Sequence, residues 1–205
     1  VLSWGAAGSV ALGRVAGSSS HAVAAGRVET ASVAEGDAVR SVAASKHHTV
    51  LLDSAGHAHT CGLGVGGRLG HGDEIAAVVP RRVRLPGTPR IVAIAAGLDH
   101  TLAVTDGGDV WTWGAETAPL GYAATTAQLV PRKVKFAARQ PVSAVRAATS
   151  ERHSLVLSAG HGMYAWGCNE QLQLGLRVPE AWVTTPRKVE SVPFEACQSL
   201  SAGGA

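Results

Sequence analysis

The chain has 205 residues, of which 46% are hydrophobic and 16% are charged, and its formal net charge is +3. This composition is typical of a globular protein and excludes an intrinsically disordered chain. The small positive charge does not by itself indicate a nucleic-acid-binding protein. No apolar run approaches the length of a membrane-spanning helix.

The cysteines are odd in number and widely spaced: Cys61, Cys168 and Cys197. No Cys-x-x-Cys pair occurs, so we expect free thiols in a reducing compartment and no zinc site. The chain starts at Val1 without a readable signal peptide. These features predict an intracellular protein, with the cytoplasm as first choice and the nucleus, cilium and organelles left open.

Four markers recur in phase along the chain and define a repeat. The first is an aromatic residue or cysteine followed by glycine, and the second is a Leu-Gly pair. The third is histidine followed by Thr or Ser, and the fourth is proline followed by basic residues. The glycines of the first marker are 57, 52 and 53 residues apart, and each marker histidine lies 14 residues before one of them. We therefore predict units at residues 1–38, 39–90, 91–142 and 143–205.

The third unit shows what one repeat builds. Two runs rich in β-branched and aromatic residues, 101–104 and 110–113, flank the turn 106–108 and predict a hairpin. A small-residue strand at 94–97 precedes the hairpin and suits a crowded central axis. The proline-basic segment that follows predicts an edge strand, where proline is tolerated. Four strands in about 52 residues form one blade, so we predict an all-β propeller.

These residues resemble the repeats of the regulator of chromosome condensation family. The matching pattern is Ala-Ala-Gly-x-x-His-Thr, aromatic-x-Trp-Gly, Gly-x-Leu-Gly and Pro-x-x-Val, and residues 94–134 follow it, with Ala118-Pro119 in place of the usual glycine before Leu-Gly. The stretch 60–74 is similar to the repeats of inhibitor of Bruton tyrosine kinase-like proteins. The resemblance implies a seven-bladed propeller, of which this chain supplies about four blades, truncated at both ends. Seven blades need about 360 residues, so we expect about three further blades and an aggregation-prone isolated chain.

We assign structural roles to the residues that mark the repeat. They are His48, His100, His153, Trp4, Trp113, Trp166, Gly62, Gly114, Gly167, Gly70, Gly121 and Gly175. We expect each histidine to be buried and to bond a loop of its own blade, with His100 bonded to backbone near Gly121. We expect Trp113 and Trp166 to pack within or between blades.

No constellation in the sequence predicts catalysis, a cofactor or a metal. His57 and His59 share one face of a strand but lack the further ligands that zinc needs. The carboxylates form no recognisable acid–base pair. The glycine-rich segment 62–72 has the spacing of tight turns and does not form a phosphate-binding motif. We therefore predict that the chain is not an enzyme.

Two features are candidate partner contacts. A basic pair recurs in each of the last three units, as Arg81 and Arg82, Arg132 and Lys133, and Arg187 and Lys188. Such a band either protects sheet edges or attracts an acidic partner or RNA. Trp182 lies in a loop with no counterpart in the other units, where it either packs locally or contacts a partner.

Three functions are open. We favour a non-catalytic protein-interaction scaffold within a larger protein or assembly, because this role requires only a rigid repeat array with variable loops. The resemblance implies guanine nucleotide exchange on a small GTPase as an alternative. A structural subunit of a ribosome-like or ciliary complex is the third. We expect a protein partner and place nucleic acid second, with no membrane span. An ultraviolet receptor is disfavoured, because tryptophan is missing from the segments before the three marker histidines.

Overall fold

The computed structural model describes residues 2–6, 21–27, 37–138, 141–160, 162–190, 197 and 199–203. The described residues form β-strands joined by turns, with one short 3-10 segment at Val65–Gly67. The predicted all-β class is confirmed. None of the described segments is a helix that is long and apolar enough to cross a membrane.

Fourteen strands make one two-stranded pair and three four-stranded sheets in the described residues. The pair is β1 (Leu2–Ala6) and β2 (His21–Arg27). The first sheet holds β3 (Val39–Ala44), β4 (His48–Asp53), β5 (Ala58–Gly62) and β6 (Ala77–Arg82). The second holds β7 (Ile91–Ala96), β8 (His100–Thr105), β9 (Val110–Gly114) and β10 (Gln128–Lys133). The third holds β11 (Ala144–Thr149), β12 (His153–Ser158), β13 (Gly162–Cys168) and β14 (Trp182–Val189).

Each four-stranded sheet is an antiparallel meander in which consecutive strands are neighbours. The second strand is buried along almost its whole length, as in β8, where every residue is buried. A strand buried on both faces reads as a continuous apolar run, because neighbouring sheets cover both faces. In the outer strand β14, five of the eight residues are instead exposed. This gradient from covered to open strands is the one expected of a propeller blade.

A glycine at or next to the end of each third strand permits a close approach to the histidine of the second strand. Gly114 has φ +134°, and a Cβ on it would lie 2.6 Å from the Cα of His100. Gly62 and Gly167 show the same contact with His48 and His153. Only glycine adopts this backbone without strain and leaves this space empty. The fixed distance between the first and third markers follows from this strand pairing.

The hydrophobic core lies between sheets. One cluster joins the first two four-stranded sheets, with Val50 and Val83 on one side and Trp113 on the other. A second cluster joins the second and third sheets, with Val104 and Trp166 among its members. Because each tryptophan is fully buried at such a boundary, it supports two blades.

We predict that Trp113→Ala lowers the free energy of unfolding by about 3–5 kcal/mol, the usual range for truncating a buried aromatic side chain. Trp182→Ala is the matched control, because the Trp182 side chain is exposed at 36%; we expect less than half the loss. Urea unfolding followed by far-ultraviolet circular dichroism measures both. Equal losses in the two variants would contradict the placement of Trp113.

Candidate functional site

The marker histidines connect neighbouring sheets. His48 Nε2 lies 2.8 Å from Thr101 Oγ1 in the second sheet. Because the Thr101 hydroxyl donates to the carbonyl of Arg68 at 2.7 Å, it accepts from His48 Nε2. The Nδ1 atom of His48 then accepts from Ser45 Oγ at 2.9 Å. His48 is thus a neutral imidazole that bonds on both sides.

His100 makes the corresponding connection to the third sheet. Its Nε2 atom lies 2.6 Å from Thr149 Oγ1 and 3.1 Å from Ser154 Oγ. His153 continues the series with its Nδ1 atom 2.7 Å from Ser150 Oγ. The Nδ1 atom of His100 has no bonding partner among the described residues, because Gly97 stands where the other units have Ser45 and Ser150.

Burial keeps these imidazoles neutral. Burial, followed by the positive charge of Arg68, lowers the pKa of His48 to about 3. Burial also lowers the pKa of His100 to about 3, with a smaller contribution from His153. A neutral histidine that is enclosed by hydroxyl groups is a structural hydrogen-bonding element.

The expectation that each histidine bonds a loop of its own blade is met by His48 and His153, whose Nδ1 atoms bond Ser45 and Ser150. It is wrong for His100, which bonds Ser154 and Thr149 and not the backbone near Gly121. The Nε2 atoms of His48 and His100 bond residues one repeat further along the chain. The physical reason is that the histidine begins a strand that faces the next sheet, whereas the loop lies beside the third strand. The loop is instead held by Thr60 and Thr112, whose hydroxyls donate to the carbonyls of Leu69 and Leu120. These two threonines are 52 residues apart, a periodic signal that could have identified them.

The tryptophans of the third and fourth units each bond the loop of the preceding unit. Trp113 Nε1 donates to the carbonyl of Arg68 at 3.0 Å, and Trp166 Nε1 donates to that of Pro119 at 2.7 Å. Gly70 leaves room for this contact, since a Cβ on it would lie 2.6 Å from Trp113 Nε1. Trp4 has no described side chain, and the Leu12-Gly13 pair lies outside the described residues.

An ion pair between a buried arginine and a partly exposed aspartate reinforces the boundary between the first and second four-stranded sheets. The Arg68 guanidinium lies 2.8 Å from the Asp99 carboxylate, and the Arg68 side chain is only 7% exposed. The third unit has Pro119 where the second has Arg68, so this pair does not recur at the next boundary.

His57 and His59, which share one face of a strand, both bond the carboxylate of Asp53. Asp53 Oδ2 lies 2.8 Å from His59 Nε2 and 3.2 Å from His57 Nδ1. Burial raises the pKa of Asp53, but the backbone hydrogen bond from His57 and the side-chain bond to His59 outweigh it, so the pKa is lower than usual. No group of three or more potential metal ligands exists in the part of the chain that the structure describes.

No disulfide joins the described cysteines. Cys61 occupies the position of Trp113 and Trp166, and burial raises the pKa of its thiol to about 12. A thiol that stays protonated is a poor nucleophile and metal ligand. Cys168 is also buried, and Cys197 is partly exposed.

The predicted basic band lies on the exposed outer strands. Its members are Arg81, Arg82, Arg132, Lys133, Arg187 and Lys188, and all six are exposed. Lys133 lies 2.7 Å from Asp109, and Arg187 lies 3.0 Å from Glu180. Arg132 stacks over the Tyr122 ring at 4.4 Å. Trp182 does not lie in a loop as predicted: it begins the outermost strand β14, because it pairs with Cys168 at the end of β13. Its side chain is exposed, so it is available to a partner.

A cleft lies beside the outer segment of each four-stranded sheet. Their volumes are about 910 Å³, 560 Å³ and 360 Å³ in chain order. The first includes Arg82 and Arg84, the second Lys133 and Lys135, and the third Arg187 and Lys188. The basic band therefore borders recesses that can accommodate a peptide segment.

A sequence profile of the regulator of chromosome condensation (RCC1) repeat matches residues 55–104 and 161–205. The chain is built from regulator of chromosome condensation repeats. Its sheets are blades of the β-propeller that these repeats form, so the predicted fold is confirmed.

Known proteins share these repeats. Inhibitor of Bruton tyrosine kinase from Mus musculus is 38% identical over 159 residues, covering 75% of this chain and 12% of that protein. Human regulator of chromosome condensation is 32% identical over 161 residues, covering 77% of this chain and 38% of that protein. The chain thus spans well under half of either relative.

The solved structures show the same architecture. Human WBSCR16 superposes with a TM-score of 0.76 at 22% identity, over 91% of this chain and 48% of that one. At this level of identity the likeness shows the fold. The repeats account for the markers, while the exposed residues differ between units.

We predict that acidification destabilises the fold through His48 and His100. Their pKa values are near 3 when folded and near 6.5 when unfolded, so the unfolded chain binds protons first. The contribution of these histidines to the free energy of unfolding is retained above about pH 6.5 and is lost as the pH drops toward 3. Linkage gives a loss of about 2 kcal/mol per histidine between pH 7 and 5.

Urea unfolding at both pH values tests this dependence. We expect His100→Gln to be less stable at pH 7 but to lose less on acidification. Trp113→Ala is the control, because it lowers stability without removing a titrating group. An unchanged pH dependence in His100→Gln would contradict a neutral buried imidazole.

Proposed function

We propose that this chain is a non-catalytic scaffold that holds a protein partner on the outer edges of its blades. The observation that carries the proposal is the division between buried and exposed polar groups. The buried histidines, threonines and indoles bond one another and neighbouring carbonyls across the sheet boundaries. The exposed cations of the outer strands are free to meet a partner.

The ion pairs in this band leave it available for binding. Lys133–Asp109 and Arg187–Glu180 are both about half exposed, and exposed pairs of this kind contribute little free energy. A partner carboxylate can therefore replace the internal one at small cost. Trp182 supplies an exposed aromatic ring at the start of the strand that carries Arg187 and Lys188, in the composition typical of interface residues.

We expect charge reversal of the band to remove bound partners without unfolding the chain. The variant combines Arg132→Glu and Arg187→Glu. The matched control reverses two exposed arginines of the inner strands, Arg40→Glu and Arg146→Glu. Co-purification from the native cell, quantified by mass spectrometry, compares both variants with the wild type. An identical set of retained proteins for the wild type and the band variant would contradict the proposal.

A nucleotide-release assay separates the scaffold from an exchange factor. The measurement is the release of a fluorescent guanine nucleotide from a panel of small GTPases with and without the chain. We expect no acceleration. Accelerated release that the band variant abolishes would overturn the non-catalytic proposal.

A further inference from the structure

The cleft beside the first four-stranded sheet differs from its counterparts in charge. Its lining includes Arg81, Arg82 and Arg84 together with His57 and His71, and no acidic residue is among its described lining residues. The second cleft includes Asp109, and the third includes Glu190. The first cleft is also the largest of the three described, at about 910 Å³.

The missing carboxylate can be traced to a single position. In the second sheet, Lys133 pairs with Trp111 across the strands and its ammonium lies 2.7 Å from Asp109. In the first sheet, Arg82 occupies the register of Lys133, opposite His59. His57, two residues before His59, stands where the second sheet has Asp109. Arg82 therefore lacks the acid that its counterpart has.

The nearby acidic groups do not neutralise the cleft. Asp53 is engaged by His57 and His59, and its side chain is 1% exposed. Asp73 lies 3.9 Å from Arg81. Among the described residues no carboxylate lies within ion-pairing distance of Arg82 or Arg84, and both side chains are exposed. Two arginines are thus left without a counter-charge beside a recess.

The arginines are spaced for an extended peptide. Val83 and Leu85 are buried while Arg82 and Arg84 are exposed, so the two arginines lie on the same side of an extended segment. Residues two apart on such a segment are separated by about 7 Å, which is also the spacing of alternate side chains in an extended ligand. Two carboxylates on alternate residues of a peptide can each meet one guanidinium.

The walls of the cleft are fixed before a ligand arrives. Arg90 donates to the carbonyls of Ser54 and Ala55 at 2.8 Å each. The Ile91 amide donates to the Gly56 carbonyl at 2.8 Å. These bonds attach the segment after β6 to the β4–β5 turn. A preformed recess reduces the ordering that binding requires.

The lining favours a peptide over a nucleic acid. Val83, Leu85 and Ile91 contribute apolar surface to the cleft, and Val130 is 56% exposed at its side. Single-stranded nucleic acids are usually held by stacking their bases on aromatic rings. No Phe, Tyr or Trp is among the described lining residues, whereas aliphatic side chains suit an aliphatic residue between two acids.

We propose that the cleft between Arg82, Arg84 and Val130 binds an extended acidic peptide segment of a partner protein, with two carboxylates on the arginines and an aliphatic side chain between them. The proposal rests on the scaffold function and specifies one of its contact sites. It differs from the band on the second and third sheets, whose lysine and arginine ion pairs leave less net charge.

Fluorescence anisotropy with a labelled peptide tests the cleft in the native full-length protein. The probe has about eight residues, which span about 26 Å when extended, with glutamates at alternate positions and one central leucine. A second probe replaces each glutamate by glutamine, and a third is a single-stranded RNA of equal charge. We expect the acidic peptide to bind more tightly than either. Stronger binding of the RNA, or equal binding of the glutamine peptide, would overturn the proposal.

Variants locate the site. We expect Arg82→Gln combined with Arg84→Gln to weaken acidic-peptide binding at least about tenfold, as for the loss of charge-assisted hydrogen bonds. The control Arg40→Gln with Arg146→Gln removes the same net charge from the inner strands and should change affinity less than about twofold. Equal weakening in both double variants would show a general charge effect and overturn the site.

A second substitution guards against misfolding as an explanation. Val130→Glu adds a negative charge to an exposed position on the opposite wall, so we expect it also to weaken binding about tenfold. Thermal unfolding of each variant checks the fold. If the acidic peptide does not bind while the band variant still loses its partners, the cleft assignment fails and the scaffold stands. If the peptide binds at the cleft but co-purification is unchanged by the band variant, the band proposal fails and the cleft stands.

Discussion

The fold depends on one carbonyl oxygen at each sheet boundary. The Arg68 carbonyl accepts from the Thr101 hydroxyl at 2.7 Å and from the Trp113 indole at 3.0 Å. At the next boundary the Pro119 carbonyl accepts from Ser154 and Trp166. A carbonyl has two lone pairs, so both are satisfied at a boundary whose donor side chains are fully buried. This arrangement fixes the position of each sheet against the loop of the previous one.

The markers of the repeat are parts of this same boundary. His48 bonds Thr101, which is 53 residues later, and His100 bonds Ser154, which is 54 residues later. Each of these histidines therefore bonds the next unit. The Thr or Ser that follows the histidine in the next unit is the bonding partner. Tryptophan packs on the Leu-Gly loop of the preceding unit, and the glycine after it makes room for histidine. The markers stay in phase because each depends on another one repeat away.

Strands and turns could be predicted because their causes are local. Glycines at turns and β-branched runs in strands depend on the backbone of the residues concerned, and the hairpin 101–113 shows both. The bonding partner of His100 could not be predicted in this way. Spacing within a unit reveals that the histidine has a fixed role, but its partner belongs to another sheet. Asp53 was likewise missed, because its contact with His57 and His59 depends on how the β4–β5 turn brings the three together.

The differences between units can be interpreted against the boundary interactions that the units share. Where a residue takes part in the boundary, the residue that replaces it is also buried, as with Cys61 in the place of tryptophan. Where it does not, replacement changes the surface and leaves the fold intact. His57 in the place of Asp109, and His71 in the place of Tyr122, both border the first cleft. Neither alters the strand register, since β5 and β9 pair with their outer strands in the same way. A repeat of this kind can therefore give each blade edge its own charge at little structural cost, so the residues that depart from the pattern are the ones that distinguish one binding edge from the next.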